Sequence, residues 1–348
     1  MKSAVGKGWR NAASLVALSP RVSVARDPCN YEVLLQTRPQ GGSFRNSVVF
    51  PGGVSEPADA SAGWLRLLTS FGYSQSDFEA LHHPGSHITP ILQDNPVLRH
   101  IALRITAIRE TFEELGLLIC SRARKADRDS VRADHLSDFD VQLWQSRVSK
   151  DPEELFTLCK ELKCYPDIWS LYYWSNWLSP TQLPKRFDTA FFLAALKSKP
   201  VIKGSREVVK VEWQTPSEVL TRSSELVLYP PQTYELSRLA ACADAASLAA
   251  AARQRSGVVD PLYYHATVRA TDGKLYVYAG DELYPSSIDY NKPTVIESDK
   301  SVLELRETSR TAHRYEFVDN KTRLVFKNFN PKNVDMGDQV IDVHMTVS

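Results

Sequence analysis

The sequence predicts an α/β fold with a β-rich C-terminal extension, on three observations. Short apolar runs bounded by Pro and Gly read as strands over residues 9–53 and again near 187–213. Residues 97–119 carry the clearest helical periodicity in the chain. From residue 257 onward the pattern turns to hairpins. A chain of 348 residues has room for two domains or one enlarged domain.

Taken in order, Ala12 to Leu18 reads as a first strand closed by a Ser19-Pro20 turn. Tyr31 to Leu35 is a second strand, and Pro39 to Ser43 a Pro- and Gly-rich loop. Ser47 to Phe50 is a short apolar strand cut off by Pro51-Gly52-Gly53. Helices are expected over Ala60 to Phe71 and Gln75 to His82, and Pro84, Pro90 and Pro96 punctuate the stretch after them. Residues 125–175 read as polar helix, with Trp144 and Leu155 supplying apolar contacts. Phe187 to Leu196 is a buried strand, and Glu207 to Trp213 an alternating one. Thr215-Pro216-Ser217-Glu218 has the residues of a helix start. Gln232 to Arg253 continues as helix. Tyr263 to Ala270 and Lys274 to Ala279 form a hairpin across Thr271-Asp272-Gly273, and 314–328 a second around Asp319-Asn320.

Composition excludes several classes. With 43% hydrophobic and 24% charged residues the chain is neither disordered nor collagen-like. The net charge of +1 lacks the footprint of a dedicated nucleic-acid binder, although a local basic groove fits inside a neutral total. No apolar run reaches about 18 residues, so no membrane span is expected. The five cysteines, Cys29, Cys120, Cys159, Cys164 and Cys242, form no C-x-x-C pair and read as reduced, mostly buried thiols. The first 26 residues are basic and free of acids, as in a mitochondrial presequence, but the strand beginning near Ala12 is the favoured reading. The C-terminus lacks an S-K-L-like peroxisomal address.

The chemistry concentrates on the helix around residue 110. Glu110, Glu113 and Glu114 stand at i, i+3 and i+4, which puts three carboxylates on one face. Ile105, Ile108, Phe112 and Leu115 lie opposite and face a core. Like charges on one stripe repel. A solvated face tolerates that, and a divalent cation turns it into binding energy; Mg²⁺ favours carboxylates together with substrate phosphates. Gly116 suits a C-cap, and Arg109 is placed to orient one carboxylate by a bidentate pair. His82, His83 and His87 read as loop histidines, and the aromatic run Trp169, Tyr172, Tyr173, Trp174, Trp177 as packing rather than a base-stacking platform.

The string Arg109-Glu110-Thr111-Phe112-Glu113-Glu114-Leu115-Gly116-Leu117, preceded by Phe50-Pro51-Gly52-Gly53, resembles the box of the Nudix hydrolases, G-x5-E-x7-R-E-U-x-E-E-x-G-U. Gly53 fits its opening Gly, Asp59 sits where its first Glu belongs, and Thr111 replaces an aliphatic residue. The stretch between Gly53 and Arg109 is 55 residues long where the box has 13. An interrupted box resembles the Nudix motif-19-type acyl-coenzyme A diphosphatases, which are peroxisomal. Further strings resemble that subfamily: Trp9 to Ser14, Trp177 to Pro180, Arg186 to Phe192, Glu207 to Leu220, Tyr229 to Gln232 and Gly280 to Pro285.

The resemblance implies a Nudix α/β/α sandwich with a mixed sheet over residues 9–256, a helical insertion at about 60–97, and an extension over 257–348 whose later part, 286–348, carries no assigned role. It implies Mg²⁺, with Mn²⁺ as an alternative, held by Glu110, Glu113 and Glu114, with Arg109 in the catalytic set. Glu110 and Glu207 are the candidate general bases. The implied reaction is hydrolysis of the diphosphate in CoA or acyl-CoA, giving adenosine 3′,5′-bisphosphate and 4′-phosphopantetheine or its acyl form. Other readings are a Nudix hydrolase of ADP-ribose, a dinucleotide or an RNA cap, and a non-catalytic binding module on the same fold. The coenzyme A motif of such enzymes, L-L-T-x-R-[SA]-x3-R-x3-G-x3-F-P-G-G, is matched at Leu34, Leu35, Arg38 and Phe50 to Gly53, and departs at Gln36, Pro39, Ser43 and Ser47. Arg38 or Arg45 is the candidate grip on the 3′-phosphate, and Gly52 and Gly53 line the substrate.

Overall fold

A computed structural model describes residues 8–24, 27–40, 46–82, 90–128, 131–202, 208–255, 262–331 and 334–346. Arg45, Glu207, His83 and His87 lie outside the described residues.

The first strand, β1 (Trp9–Pro20), runs through the predicted Ser19-Pro20 turn without breaking. It sits at the centre of the sheet, where both faces are covered, and Leu15, Val16, Ala17 and Leu18 are all buried. The basic N-terminal stretch is therefore a structural strand from residue 9 onward. β2 (Tyr31–Thr37) and β3 (Val48–Val49) follow as expected. Gly52–Val54 is a strand of its own, β4, paired with Ala12–Ser14 of β1. The Pro-Gly-Gly run bends the chain from one pairing partner to the next rather than ending the sheet.

The insertion carries α1 (Ala62–Ser70) and α2 (Gln75–Glu79), which bury Trp64, Leu68 and Phe78. α3 (Pro96–Leu115) starts on Asn95, whose side chain accepts from the Leu98 amide, with Pro96 in the first turn. It stops at Leu115 rather than 119. Gly116 adopts φ 70°, and its N–H bonds the Phe112 carbonyl at 2.8 Å, a left-handed cap that ends the helix. Buried Thr111 satisfies its hydroxyl on the Ala107 carbonyl at 2.7 Å, so it is tolerated where an aliphatic residue is usual.

Next come β5 (Cys120–Ser121), α4 (Val141–Val148), α5 (Glu154–Glu161), β6 (Tyr165–Pro166) and β7 (Tyr172–Leu178). The expectation of helix over 125–175 holds only for α4 and α5: described residues 131–140 are not helical, and the last part is strand. All seven residues of β7 are buried, and its aromatic and small residues fill both faces of a strand. The aromatic run is packing: Trp174 is buried, and Trp169 stacks on Tyr73. β8 (Arg186–Ala195), β9 (Lys210–Gln214) and α6 (Pro216–Thr221) match the reading, with Thr215 and Glu218 forming a capping box. The single helix expected over 232–253 is two, α7 (Pro230–Ala240) and α8 (Ala245–Arg255). The break falls where Asp244 turns its carboxylate onto the Ser247 amide and the Asn30 side chain.

The C-terminal part holds β10 (Ala266–Arg269), β11 (Gly273–Val277), β12 (Val295–Glu297), α9 (Val302–Thr308), β13 (Ala312–Val318), β14 (Lys321–Lys327) and β15 (Gln339–Val343). Both expected hairpins are present. Asp319 and Asn320 take positive φ at the β13–β14 turn, as a two-residue hairpin requires.

The described strands form two main sheets. A seven-stranded mixed sheet runs β3-β2-β1-β8-β7, with β4 beside β1 and β9 beside β2. β1 and β8 pair in parallel over ten residues, Trp9↔Arg186 to Leu18↔Ala195. One face packs on α3 and the insertion, the other on α7, α8 and the second, six-stranded sheet. Tyr234 donates to or accepts from His313 at 2.8 Å, and Thr233 and Tyr315 share a 2.7 Å bond, tying α7 to the second sheet. No helix among the described residues is long and apolar enough to cross a membrane.

Candidate active site

The α3 face carries the expected triplet, and it is not a solvated stripe. The Glu110, Glu113 and Glu114 side chains are only 17%, 14% and 9% exposed. Three crowded carboxylates with so little water require partners, and Arg109 supplies most of them.

Arg109 is buried. Its Nε donates to Asp59 Oδ1 at 2.8 Å and its Nη2 to Asp59 Oδ2 at 2.9 Å. Nη2 also bonds the Val54 carbonyl at 2.8 Å. Nη1 reaches both Glu110 Oε1 at 2.9 Å and Glu113 Oε1 at 2.7 Å. The bidentate pair expected within the triplet thus goes to Asp59 instead, and the triplet receives a shared single donor. Asp59 is 1% exposed and also accepts from the Thr106 hydroxyl at 2.8 Å and the Glu56 amide at 2.9 Å. The first acidic residue of the interrupted box and its arginine are therefore direct partners, despite the insertion between them.

Glu114 is held from the other side. Its Oε2 accepts from Gln36 Nε2 at 2.6 Å and from the Gly52 amide at 3.2 Å. Arg38 Nη2 lies 3.7 Å from Glu114 Oε1 and 3.3 Å from the Gly52 carbonyl. Gln36, where the coenzyme A motif has Thr, is not singled out by the sequence; its reach to Glu114 across the sheet is its role.

Electrostatics follow from burial. Desolvation pushes the Glu110 carboxyl up to about 8, Arg109 pulls it down, and Glu114 and Glu113 add to the rise. Burial works against the Arg109 charge, but the Asp59 hydrogen bonds and the neighbouring carboxylates hold its pKa above the ordinary value.

The residues fit a divalent cation on two counts. The donor set is three mostly buried carboxylates on one helix face, the hard-oxygen type Mg²⁺ prefers, although their oxygens do not all lie within 4.8 Å of one another. Gly53 is the second: a Cβ there would lie 2.2 Å from Glu110 Oε2, so only glycine leaves that carboxylate its place. Gly52 is required for a different reason. It has φ 149°, and a Cβ would lie 2.2 Å from the Ala13 carbonyl.

Gly52, Gly53 and Arg38 also line a cavity of about 460 Å³, within the usual size of small-molecule sites. Its floor follows from strand alternation. Arg10, Ala12 and Ser14 on β1, and Phe187, Thr189 and Phe191 on β8, point the same way because successive residues on a strand face opposite sides. Arg10 and Lys185 are exposed cations at one end of this floor, and neither has an ion-pair partner among the described residues. Neither stands out in the sequence. Arg10 is visible there only as part of a basic N-terminus, and Lys185 as one residue of a loop.

Trp177, Ser179, Pro180 and Tyr229 to Gln232, all in strings that resemble the acyl-coenzyme A subfamily, line the same cavity. The Gly280 turn does not; Asp281 there is buried and grips Arg314 at 2.6 and 3.0 Å. Among the described residues, the trio of His, Cys, Asp or Glu ligand atoms lying within 4.8 Å of one another is Cys120, Cys159 and Cys164, in the core away from this cavity.

Comparison with known proteins shows the family. Residues 9–239 match the NUDT19 Nudix domain and residues 267–328 the NUDT19 C-terminal domain. The chain is 34% identical over 361 residues to the acyl-coenzyme A diphosphatase NUDT19 of Gallus gallus, covering 96% of each chain. It is 33% identical over 334 residues to the NUDT19 of Homo sapiens, covering 88% of each. Among solved structures, a NUDIX hydrolase from Alicyclobacillus acidocaldarius aligns with a TM-score of 0.50 at 25% identity, over 70% of this chain and 97% of that one. The chain belongs to the NUDT19 family of Nudix hydrolases.

Proposed function

We propose that this chain hydrolyses the diphosphate of CoA and acyl-CoA to adenosine 3′,5′-bisphosphate and 4′-phosphopantetheine or its acyl form, with Mg²⁺ as cofactor and Mn²⁺ as an alternative. The observation that carries the reading is one cavity with three properties. It meets the carboxylate face of α3 through Gly52 and Gly53, it holds the cations Arg10, Arg38 and Lys185, and one of its walls is aromatic, with Trp177, Tyr263, Tyr276 and Tyr278. The relatives named acyl-coenzyme A diphosphatase support it across nearly the whole chain.

Glu110, Glu113 and Glu114 would hold the metal, which supplies charge neutralisation and an activated water when bound. Arg109 fixes Glu110 and Glu113 while anchored on Asp59, so the carboxylates need little reorganisation. Arg38, Arg10 and Lys185 meet substrate phosphates. Water adds to one phosphorus, the bridging P–O bond breaks, and the released proton passes to a carboxylate. Glu110 and Glu207 remain the two candidate acceptors.

A turnover panel tests the reading. Purified protein with Mg²⁺ should release adenosine 3′,5′-bisphosphate from CoA and acyl-CoA, and a chelator should stop it. Cleavage of ADP-ribose or capped RNA with CoA left intact would overturn it.

A further inference from the structure

The C-terminal sheet contributes none of the carboxylates or cations of the site, yet it supplies a wall of the same cavity. Tyr263, His265, Tyr276 and Tyr278 line it together with Trp177 and Gly53. These rings are held firmly. The Tyr263 amide donates to the Asn176 carbonyl at 2.9 Å and its carbonyl accepts from the Leu178 amide at 3.1 Å, so this segment extends the edge of β7. Trp177 Nε1 is fixed on buried Glu235 at 2.8 Å. The Tyr278 amide bonds the His313 carbonyl at 3.0 Å.

The arrangement of the rings decides what the wall can take. Tyr263 stacks on Trp177 with centroids 4.6 Å apart, and His265 on Tyr276 at 4.0 Å. Tyr278 meets Trp177 edge-on at 5.7 Å. One face each of Tyr263, Trp177, His265 and Tyr276 is thus taken by its neighbour, so the wall is built of ring pairs rather than of isolated stacking platforms. The Trp177 N–H is taken by Glu235, and the Tyr276 hydroxyl accepts from Lys274 at 3.2 Å. What the wall offers the cavity is mostly aromatic carbon, with the His265 imidazole as a polar point, which suits an alkyl chain beside the amides of a pantetheine arm. The nucleotide half has its own counterpart in Arg10 on β1 and Lys185 just ahead of β8, at one end of the floor.

We infer that the C-terminal sheet is the acyl-selective wall of the active-site cavity: Tyr276, His265 and Tyr278 receive the acyl-pantetheine arm while the β1–β8 floor takes the nucleotide. This rests on the acyl-CoA reading of the site. It makes the C-terminal domain a specificity element of the reaction rather than an appended module.

The test uses the full chain with Mg²⁺ and a mixture of octanoyl-CoA and CoA in one reaction. The ratio of the two rates is independent of how much of a variant is folded. The wild type should favour octanoyl-CoA. Tyr276→Ala and His265→Ala should each narrow that preference by about tenfold, the scale on which a hydrophobic pocket reads lost apolar contact. Tyr276→Phe, which keeps the ring, should retain the preference. Inhibition by adenosine 3′,5′-bisphosphate should be unchanged in all three. An unaltered octanoyl-CoA to CoA ratio in both alanine variants overturns the proposal, as does loss of adenosine 3′,5′-bisphosphate inhibition, which would place the nucleotide on this wall. A wild type with no preference between octanoyl-CoA and CoA also overturns the proposal, and one that cleaves the diphosphate of neither removes the functional reading itself.

Discussion

Arg109 and Asp59, fifty residues apart, form a buried two-point ion pair, with Nε on Oδ1 at 2.8 Å and Nη2 on Oδ2 at 2.9 Å. Asp59 thereby closes the interrupted motif. Its carboxylate orients the guanidinium that in turn holds Glu110 and Glu113. Removing one partner of a buried pair leaves an uncompensated charge, so Asp59→Ala should lose about 3–5 kcal/mol of stability. Denaturant unfolding measures it. A loss below about 1 kcal/mol, the range of a surface pair, would mean the pair is not structurally required.

The two adjacent glycines should fail differently. Gly53→Ala places a methyl against the end of a flexible side chain, Glu110, so the fold should survive and turnover should fall. Gly52→Ala places one against the β1 backbone and should lower the melting temperature first. Wild-type turnover in Gly53→Ala at unchanged stability would contradict the placement of Glu110 in the site.

Loss of a metal carboxylate should be severe and loss of its support graded. Glu113→Gln and Glu114→Gln should reduce turnover on the order of 100-fold or more, the scale of removing a charge-stabilising group. Gln36→Leu removes the 2.6 Å donor to Glu114 and should raise the Mg²⁺ concentration for half-maximal rate by about 10–100-fold, as losing a metal ligand's own support does. A metal titration of each variant separates the two cases. Full turnover in either Gln variant of the triplet would sink the metal assignment.

Glu110 and Glu207 can be separated by binding against rate. Glu110→Gln should weaken Mn²⁺ binding, read by paramagnetic relaxation. Glu207→Gln should keep Mn²⁺ binding and lower kcat. Full kcat in Glu207→Gln would give the proton-accepting role to Glu110.

Stability should fall in mild acid through His313. The ring is buried between the Ala279 carbonyl at 2.7 Å and the Tyr234 hydroxyl at 2.8 Å, and burial lowers its pKa to about 3. A depressed imidazole leaves stability intact above its unfolded pKa of about 6.5. Below that the unfolded chain takes up a proton the folded one refuses, costing up to about 1.4 kcal/mol per pH unit until about pH 3. Between pH 6.5 and 5 the wild type should therefore lose more stability than His313→Gln. Parallel curves for the two proteins would rule out this contribution.

Much of the site is legible locally. The spacing of Glu110, Glu113 and Glu114 fixes a shared helix face, and Gly116 fixes where that helix ends, because both depend on contacts within a few residues. Strand β7 reads as helix in the sequence because its aromatic residues carry no periodicity that tells a doubly buried strand from a buried helix. The break at Asp244 is hidden there because its cause, Asn30, lies on another segment.

The sequence alone determined the family, the acidic helix face and the glycines beside it, since each is a matter of residue type and short spacing. Tertiary structure alone decided that Asp59 belongs to Arg109, that Gln36 supports Glu114, and that Tyr276 and His265 share a cavity with Gly53. Those relations join residues dozens to hundreds of positions apart. They arise from which strands pair and which faces pack, and no local pattern encodes that.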